Sequence, residues 1–275
     1  MQVQQALELA RAAGVDRLDA QWLLSHLLKR SRAALLAHDD AALDDRQAAA
    51  FRTGIARRAA GEPLAYVVGH TCFRGLELAV SPSVLIPRPE TELLVEWALQ
   101  LRGAAVDAID LGTGSGAVAI ALACEAPGLR VTATDLSPEA LEVARRNIAT
   151  HGLPVEVVQG AWWAAVPNRR FGLAVSNPPY VAADDPHLPA LSHEPSLALT
   201  PGGDDSLAAL RELICGAPRH LRPGAWLLVE HSHDQAVAVE ALLGAAGFTA
   251  MQMRCDLAGL PRCSAARWAG SDVNN

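Results

Sequence analysis

Residues 174–181 read AVSNPPYV, an apolar run that stops on an asparagine, two prolines and a tyrosine. Each proline ring removes a backbone donor and restricts φ, so a strand ladder cannot continue through Pro178 and Pro179. The restricted backbone instead fixes the direction of the Pro178 carbonyl, and the carboxamide oxygen of Asn177 supplies a second acceptor. Two such acceptors suit one planar NH₂ group, against which the ring of Tyr180 can pack.

The chemistry that this arrangement favours is alkylation of a planar amide or amino nitrogen. Such a nitrogen is a poor nucleophile because its lone pair is delocalised. Acceptors on both N–H bonds hold the group in place and stabilise the positive charge that grows on nitrogen as it attacks. They therefore lower the free energy of the transition state more than that of the bound substrate. No strong base is required, because the alkylated nitrogen loses its proton readily. An in-line displacement at a sulfonium methyl group draws much of its acceleration from proximity.

A second group of residues, DLGTGSG at 110–116, predicts where the other reactant binds. Asp110 ends a predicted strand, and three glycines then let a ligand approach backbone N–H groups at a helix N-terminus. The next predicted strand ends on Asp135, whose carboxylate can accept both hydroxyls of a ribose. The G-x-G-x-G spacing differs from the G-x-G-x-x-G of a dinucleotide fold. The combination resembles the cofactor site of class I S-adenosylmethionine-dependent methyltransferases, with a nicotinamide-dependent oxidoreductase or a turn without ligand as alternatives.

The elements that must position these residues alternate between strands and helices after Gly103. Such alternation predicts parallel βαβ units with helices on both faces of one sheet. Asn177 then lies at the carboxyl edge of the sheet, where open α/β folds bind ligands. The predicted strands are 106–111, 130–135, 155–159, 171–176, 226–230 and 248–254, and the predicted helices are 116–126, 138–151, 206–220 and 234–246.

The beginning of the chain has a different pattern. Clustered leucines predict helices up to a stop signal at Gly61-Glu62-Pro63. Residues 66–80 form short β-like runs punctuated by glycines, which predicts a hairpin. We therefore predict a helical N-terminal substrate-docking domain at 1–62, a hairpin linker at 63–88 and the α/β domain at 89–275.

The composition of the chain argues against several classes of protein. The chain has 275 residues, with 23 Lys and Arg against 30 Asp and Glu and a formal charge of −7. That charge argues against a broad nucleic-acid footprint, which needs a basic face. Five scattered cysteines without a C-x-x-C pair, and nine histidines without convincing metal-ligand spacing, argue against a zinc or disulfide framework. Reduced thiols, no recognisable signal peptide and no long apolar run predict a cytoplasmic protein without a membrane span.

Six stretches of the chain form a series: LIPRPETELLVEWAL (85–99), DLGTGSGAVAIALA (110–123), DLSPEALEVARRN (135–147), VSNPPYV (175–181), HEPSLALTPGGDDSL (193–207) and DLAGLPR (256–262). Together they closely resemble the peptide-chain release-factor glutamine-N5 methyltransferases over nearly the whole chain. NPPY alone is also similar to the motif of adenine-N6 and cytosine-N4 DNA methyltransferases. The order of all six stretches favours glutamine.

The resemblance implies a seven-stranded Rossmann-like class I methyltransferase domain, preceded by a small helical domain and a β-hairpin linker. It implies methyl transfer from S-adenosylmethionine to the side-chain amide nitrogen of glutamine in the Gly-Gly-Gln motif of bacterial class I release factors. The products are N5-methylglutamine, which supports translation termination, and S-adenosylhomocysteine. We expect no metal, no stable nucleic-acid partner and no membrane, and we expect a monomer.

The resemblance also implies site residues. Asn177, Pro178 and Tyr180 would be catalytic and, with Pro179, would bind the substrate glutamine. Asn177 would also border the cofactor, whose other contacts would be Gly112, Thr113, Gly114, Ser115, Gly116, Asp135 and Trp162. The family has an acidic residue where this chain has Ala161, so one contact to the adenine amino group would be lost while the stacking surface remains. An adenine-N6 DNA methyltransferase and a non-enzymatic adenosylmethionine sensor are the alternative hypotheses.

Overall fold

The computed structural model describes residues 1–270. The chain divides into two compact units, the first at Met1–His70 and the second from Thr71 onward. The boundaries predicted at residues 62 and 88 stay a prediction beside this division. Among the helices of the described residues, none combines the length and apolar character that a membrane crossing requires.

The first unit is helical, as the leucine pattern predicts. Aspartate and serine side chains cap three of its helices: Asp16 accepts from Leu18 N, Ser31 accepts from Ala34 N and Asp44 accepts from Gln47 N. Buried apolar residues on facing helices, such as Val3, Leu24 and Phe51, form its core. Its helices are α1 (Val3–Ala12), α2 (Arg17–Leu28), α3 (Arg32–Ala37), α4 (Asp45–Ala59) and α5 (Leu64–Val68).

The β-hairpin is shorter than predicted. Residues 66–68 belong to helix α5, because Pro63 starts the helix and Gly69, at φ 81°, ends it in the left-handed region. The hairpin strands are β1 (His70–Phe73) and β2 (Leu76–Ala79). In the second unit, Asn147 fastens the end of β2 by accepting from Ala79 N and donating to Ala79 O.

The second unit is a seven-stranded sheet with helices on both faces, as predicted. Its strand order is β5-β4-β3-β6-β7-β9-β8, in which β3 to β7 are mutually parallel and β9 runs antiparallel to both neighbours. The strands are β3 (Asp107–Leu111), β4 (Arg130–Asp135), β5 (Val155–Gln159), β6 (Phe171–Ser176), β7 (Leu221–Glu230), β8 (Phe248–Cys255) and β9 (Pro261–Trp268).

Two apolar layers sandwich the sheet, because successive side chains of a strand point to opposite faces. Leu173 of β6 joins the layer on one face, while Ala174 joins the layer on the other. The first layer is covered by α6 (Thr91–Leu101), α7 (Ala117–Glu125) and α8 (Pro138–His151). The second is covered by α10 (Ala208–His220) and α11 (Ala236–Ala245), while the short α9 (Ser196–Leu199) lies in the connection before α10.

The sequence pattern did not predict strand β9 or its antiparallel pairing. Strand β9 contains the small-residue run Cys263-Ser264-Ala265-Ala266, which carries no clear period, so the sequence predicts no strand over residues 261–268. The prediction of parallel units also fails at this end of the sheet, where β9 pairs antiparallel with β7 and β8. A tight Asp256–Leu260 turn joins β8 to β9 and leaves no room for the helix that a parallel connection needs.

The central strand β6 gives a direct test of this core. Leu173 is fully buried, so Leu173→Ala removes apolar contacts and leaves a cavity between the sheet and its helices. We expect the free energy of unfolding to fall by about 3 kcal/mol in urea denaturation. The matched variant Val237→Ala, at a residue that is 79% exposed on α11, should change it by less than about 0.5 kcal/mol. Equal effects of the two substitutions would contradict the assigned core.

Candidate active site

The site is built where two neighbouring parallel strands end. Leu111 of β3 lies opposite Ser176 of β6, and Ser176 Oγ donates to Leu111 O at 2.6 Å. Gly112 and Asn177 therefore follow side by side at the carboxyl edge of the sheet. The chain turns outward from β3 to β4 and β5 on one side, and from β6 to β7 on the other, so this is also the point where the strand order reverses.

A cavity of about 380 Å³ opens at this edge. Of the residues predicted to bind cofactor or substrate, it is lined by Gly112, Thr113, Gly114, Ser115, Asp135, Trp162, Asn177 and Pro179. Gly116, Pro178 and Tyr180 do not line it. Gly116 caps α7 behind the loop, Pro178 is buried, and Tyr180 turns toward β7. The structure thus gathers the predicted cofactor residues except Gly116 around one cavity and places part of the NPPY motif beside it.

The loop requires glycine at two positions, because each has a positive φ and leaves little room for a Cβ atom. Gly112 has φ 76°, and a Cβ there would lie 3.0 Å from the ring of Trp162. Gly116 has φ 85°, and a Cβ would lie 3.1 Å from Ile120 Cδ1. Trp162 itself has φ 41°, a left-handed conformation that side chains such as tryptophan rarely adopt. The Trp162 ring thus lies against the loop on a backbone in an unfavourable conformation. Such strained conformations are frequent at functional sites.

Asp110 is a buried carboxylate beneath the loop, and sequence reasoning noted it only as a strand end. Its Oδ2 accepts from Thr113 Oγ1 at 2.6 Å and from Ala119 N at 3.2 Å. Burial raises the pKa of Asp110 to about 7, although these two hydrogen bonds lower it. The carboxylate fastens the loop to the start of helix α7.

Asp135 shapes the same loop from the neighbouring strand β4. Its Oδ2 accepts from Gly114 N at 2.8 Å and its Oδ1 accepts from Ser137 N at 3.0 Å. Burial raises the pKa of Asp135, partly offset by these backbone donors. A carboxylate has about four acceptor positions, so each oxygen keeps capacity for one hydroxyl of a ligand.

Asn177 is oriented by a residue that sequence reasoning missed. Its Nδ2 donates to Thr91 Oγ1 at 3.0 Å, and Thr91 is a buried residue at the start of α6. This bond leaves the Asn177 Oδ1 atom as an acceptor on the other side of the amide. The signal in the sequence was the RPETE stretch at 88–92, whose nearness to NPPY only the fold could establish.

Tyr180 and Glu230 form a second buried contact of the motif. The hydroxyl of Tyr180 donates to Glu230 Oε1 at 3.1 Å, and Gln235 Nε2 donates to the Tyr180 carbonyl at 3.1 Å. Burial and the nearby Glu230 raise the pKa of Tyr180, so the phenol stays protonated. Glu230 ends strand β7, which pairs with β6, the strand that Asn177 follows.

Two connecting segments wall the cavity and are fastened to each other. Arg88 pairs with the buried Glu194, and Ile86 N donates to Glu194 Oε2 at 3.2 Å. Pro87 and Pro195 line the cavity, and each is adjacent in the chain to a member of that pair. Within residues 1–270, no cluster of three or more His, Cys, Asp or Glu side chains could hold a metal ion.

Family models and curated relatives match this chain along most of its length. The PrmC N-terminal domain model matches residues 2–69, and the methyltransferase small domain model matches residues 89–204. A release factor glutamine methyltransferase of Burkholderia pseudomallei is 48% identical over 280 residues, covering 96% of each chain. The protein of the same name from Bordetella pertussis is 49% identical over 262 residues, covering 94% of this chain and 97% of the relative.

Solved structures support the fold. A methyltransferase from Pyrococcus furiosus aligns with a TM-score of 0.55 and 24% identity, over 78% of this chain and 98% of the other. A Thermus thermophilus 16S rRNA N2 G1207 methyltransferase, solved with AdoMet and guanosine, aligns with a TM-score of 0.54 and 20% identity. That alignment covers 72% of this chain and 49% of the other. At these identities the likeness shows a shared architecture.

The raised pKa of Asp110 predicts a pH-dependent stability. The folded state holds this proton up to about pH 7, whereas the unfolded chain releases it near the ordinary value of 3.8. Stability from this group is therefore present at low pH and is lost as pH rises toward and through 7. In Asp110→Asn, one amide oxygen can still accept from Thr113 and Ala119. We expect the melting temperature of this variant to fall less between pH 5 and pH 8 than that of the wild type.

A matched control lies at the other end of the same strand. Burial would raise the pKa of Asp107, but Arg222, Gly172 and Arg130 together lower it. Its contribution to stability is present above the ordinary pKa and is lost only as pH falls through the lower value of the folded state. Asp107→Asn should therefore reduce stability throughout pH 5–8 and keep the wild-type slope. The Asp110 assignment fails if Asp110→Asn also keeps that slope.

Proposed function

The chain belongs to the release factor glutamine methyltransferase family, and we propose that it methylates the side-chain amide nitrogen of glutamine in the Gly-Gly-Gln motif of bacterial class I release factors. The methyl donor is S-adenosylmethionine, which becomes S-adenosylhomocysteine. The observation that carries the proposal is the position of Asn177, next to the glycine loop with Nδ2 engaged by Thr91 and Oδ1 available. An acceptor in that position suits the N–H of a planar amide.

The residues around the cavity fit the methyl donor. Backbone N–H groups of residues 112–116 suit its amino-acid part, Asp135 suits the two ribose hydroxyls and the Trp162 ring suits a flat adenine. The methyl group bound to sulfonium sulfur is the electrophile that the donor supplies. Ala161 lines the cavity beside Trp162 and offers no side-chain acceptor to the adenine amino group. Binding there depends on stacking and on main-chain groups.

The chain's own residues then prepare the substrate nitrogen. Asn177 Oδ1 and the Pro178 carbonyl accept the two N–H bonds of the glutamine amide and direct the nitrogen toward the methyl carbon. As the N–C bond forms and the C–S bond breaks, positive charge grows on nitrogen, and the two acceptors stabilise it most in the transition state. The methylated nitrogen then loses its extra proton to water. Tyr180 is turned toward β7, where its hydroxyl donates to Glu230, and it takes no part in proton transfer because its phenol stays protonated.

The substrate is a protein rather than DNA. The reported relatives carry the name release factor glutamine methyltransferase, and the chain's formal charge of −7 does not suit a duplex-binding cleft. The alternative of an adenine-N6 DNA methyltransferase is therefore not favoured. We further propose that the N-terminal helices and the hairpin linker dock the release factor, and that the enzyme works as a cytoplasmic monomer without a metal ion.

The substitution Asn177→Ala tests the proposed role of the motif. It removes the acceptor for the substrate N–H while leaving the glycine loop and Asp135 in place. We expect turnover of labelled S-adenosylmethionine on a release factor to be abolished, while the Kd of the methyl donor stays within about tenfold, the pattern of a lost transition-state contact. Near-normal turnover in this variant would contradict the mechanism.

Two controls define the substrate and the cofactor site. A release factor with its Gly-Gly-Gln glutamine replaced by alanine should take up no label, and label on DNA in place of the release factor would overturn the proposed function.

Asp135→Ala should give the reverse of the Asn177 pattern. It should raise the Kd of S-adenosylmethionine by about tenfold or more, because both ribose hydroxyls lose their acceptor.

A further inference from the structure

Glu230 is a buried carboxylate behind the NPPY motif to which the reaction itself assigns no part. It ends strand β7, is 1% exposed and accepts from the Tyr180 hydroxyl at 3.1 Å. Its second oxygen, Oε2, has no partner at normal hydrogen-bond distance among the described residues. Thr91 lies close enough to the same carboxylate to lower the pKa of Glu230. A carboxylate held in this way needs a reason, because burying an ionised acid is unfavourable.

The reason follows from hydrogen-bond direction. Thr91 Oγ1 accepts from Asn177 Nδ2 at 3.0 Å, which leaves the hydroxyl hydrogen of Thr91 to be donated elsewhere. An ionised carboxylate only accepts, so Glu230 draws that hydrogen toward itself. Thr91 must then accept from Asn177, and the amide can face it only through Nδ2. The charge on Glu230 therefore determines which end of the Asn177 amide is left for the substrate.

We propose that Glu230 is a positioning residue for methyl transfer, which holds Thr91 as a donor, Asn177 with Oδ1 toward the substrate amide, and Tyr180 in place at the other end of the motif. This inference rests on the proposed function for its kinetic consequence. The orientation of Asn177 does not depend on the identity of the substrate.

A neutral group at position 230 loses this control. A glutamine amide or a protonated carboxyl can donate to Thr91, which can then donate to Asn177 Oδ1. The Asn177 amide turns over and presents its NH₂ group where the substrate N–H requires an acceptor. Two donors that face each other repel, so the transition state loses its stabilisation while the methyl-donor cavity is unchanged.

The surroundings make Glu230 the member of its cluster that titrates near neutral pH. Burial raises its pKa to about 7, while Thr91, Tyr180 and the positive charge of Arg262 lower it and Glu90 raises it. Tyr180 and Cys263 have raised pKa values through burial and the nearby Glu230, so both stay protonated. Arg262 stays charged and pairs with Asp256 at 3.1 Å. Below about pH 7, Glu230 becomes neutral, and kcat should fall.

The kinetic experiment compares Glu230→Gln with Thr91→Val on a release factor with S-adenosylmethionine saturating. We expect each to lower kcat by about 10- to 100-fold, with KM for the release factor and Kd for the methyl donor within about threefold. Thr91→Ser keeps the hydroxyl and should recover most of the loss. The double variant should be no slower than the worse single variant, because both residues act through one chain. Glu240→Gln, the same change at an exposed site on α11, should keep wild-type kinetics.

The pH profile separates positioning from mere support of the fold. The wild type should show a one-proton fall of kcat below about pH 7, which is absent in Glu230→Gln. Asp110 also has a pKa of about 7, but it fastens the glycine loop. Asp110→Asn should therefore keep the acid limb of kcat. If Glu230 had a purely structural role, Glu230→Gln would have a lower melting temperature than the wild type but the same pH profile of kcat.

A substrate-free measurement keeps the two proposals apart. The side-chain NH₂ resonance of Asn177, identified by its loss in Asn177→Asp, should move away from its wild-type position in Glu230→Gln, because the NH₂ group no longer donates to Thr91. A wild-type resonance in Glu230→Gln, kcat within about threefold of wild type or a retained acid limb would each overturn the positioning role. If the wild type methylates no release factor, the proposed function fails, and the resonance alone decides the orientation of Asn177.

Discussion

The hydrogen bond from Ser176 Oγ to Leu111 O joins the ends of two parallel strands at 2.6 Å, and the candidate site depends on the register that it closes. With Leu111 opposite Ser176, the glycine loop and Asn177 start at the same height on the sheet. If one of the two strands slipped by one residue, its side chains would turn to the wrong faces of the sheet. The slip would also part the loop that suits the methyl donor from the side chain that suits the acceptor nitrogen.

The two acids of strand β3 have pKa values that are shifted in opposite directions at the two ends of the strand. Asp107, at the amino end, is paired with Arg222 through two bonds of 2.6 Å and has a lowered pKa. Asp110, near the carboxyl end, is buried without a basic partner and has a raised pKa. Burial also raises the pKa of Asp135 and of Glu230, at the ends of β4 and β7. The acid that stabilises the fold, Asp107, thus lies at the amino edge of the sheet, and the acids whose burial reduces stability gather at the carboxyl edge with the cavity, as expected of a functional site.

Sequence reasoning located the parts of the site that depend on neighbours in the chain. Strands, the glycine loop and the position of Asp135 follow from local periodicity and from turn chemistry. Thr91 and Glu230 could not be found in this way, since they meet Asn177 and Tyr180 from 86 and 50 residues away. Strand β9 escaped because its small residues carry no period, and residues 66–68 were misassigned because Pro63 and Gly69 decide their conformation more strongly than β propensity does.

The NPPY motif and the buried residues behind it, Thr91 and Glu230, determine different features of the site. The two prolines and Asn177 define a place for a planar NH₂ group, which glutamine and adenine could both provide. An asparagine amide, however, presents an acceptor or a donor with nearly equal ease, because its two ends are almost the same shape. The motif alone therefore does not determine its own polarity. A charged acceptor behind Thr91 removes the ambiguity, which gives a physical reason for burying an acid at the end of β7 despite its unfavourable desolvation.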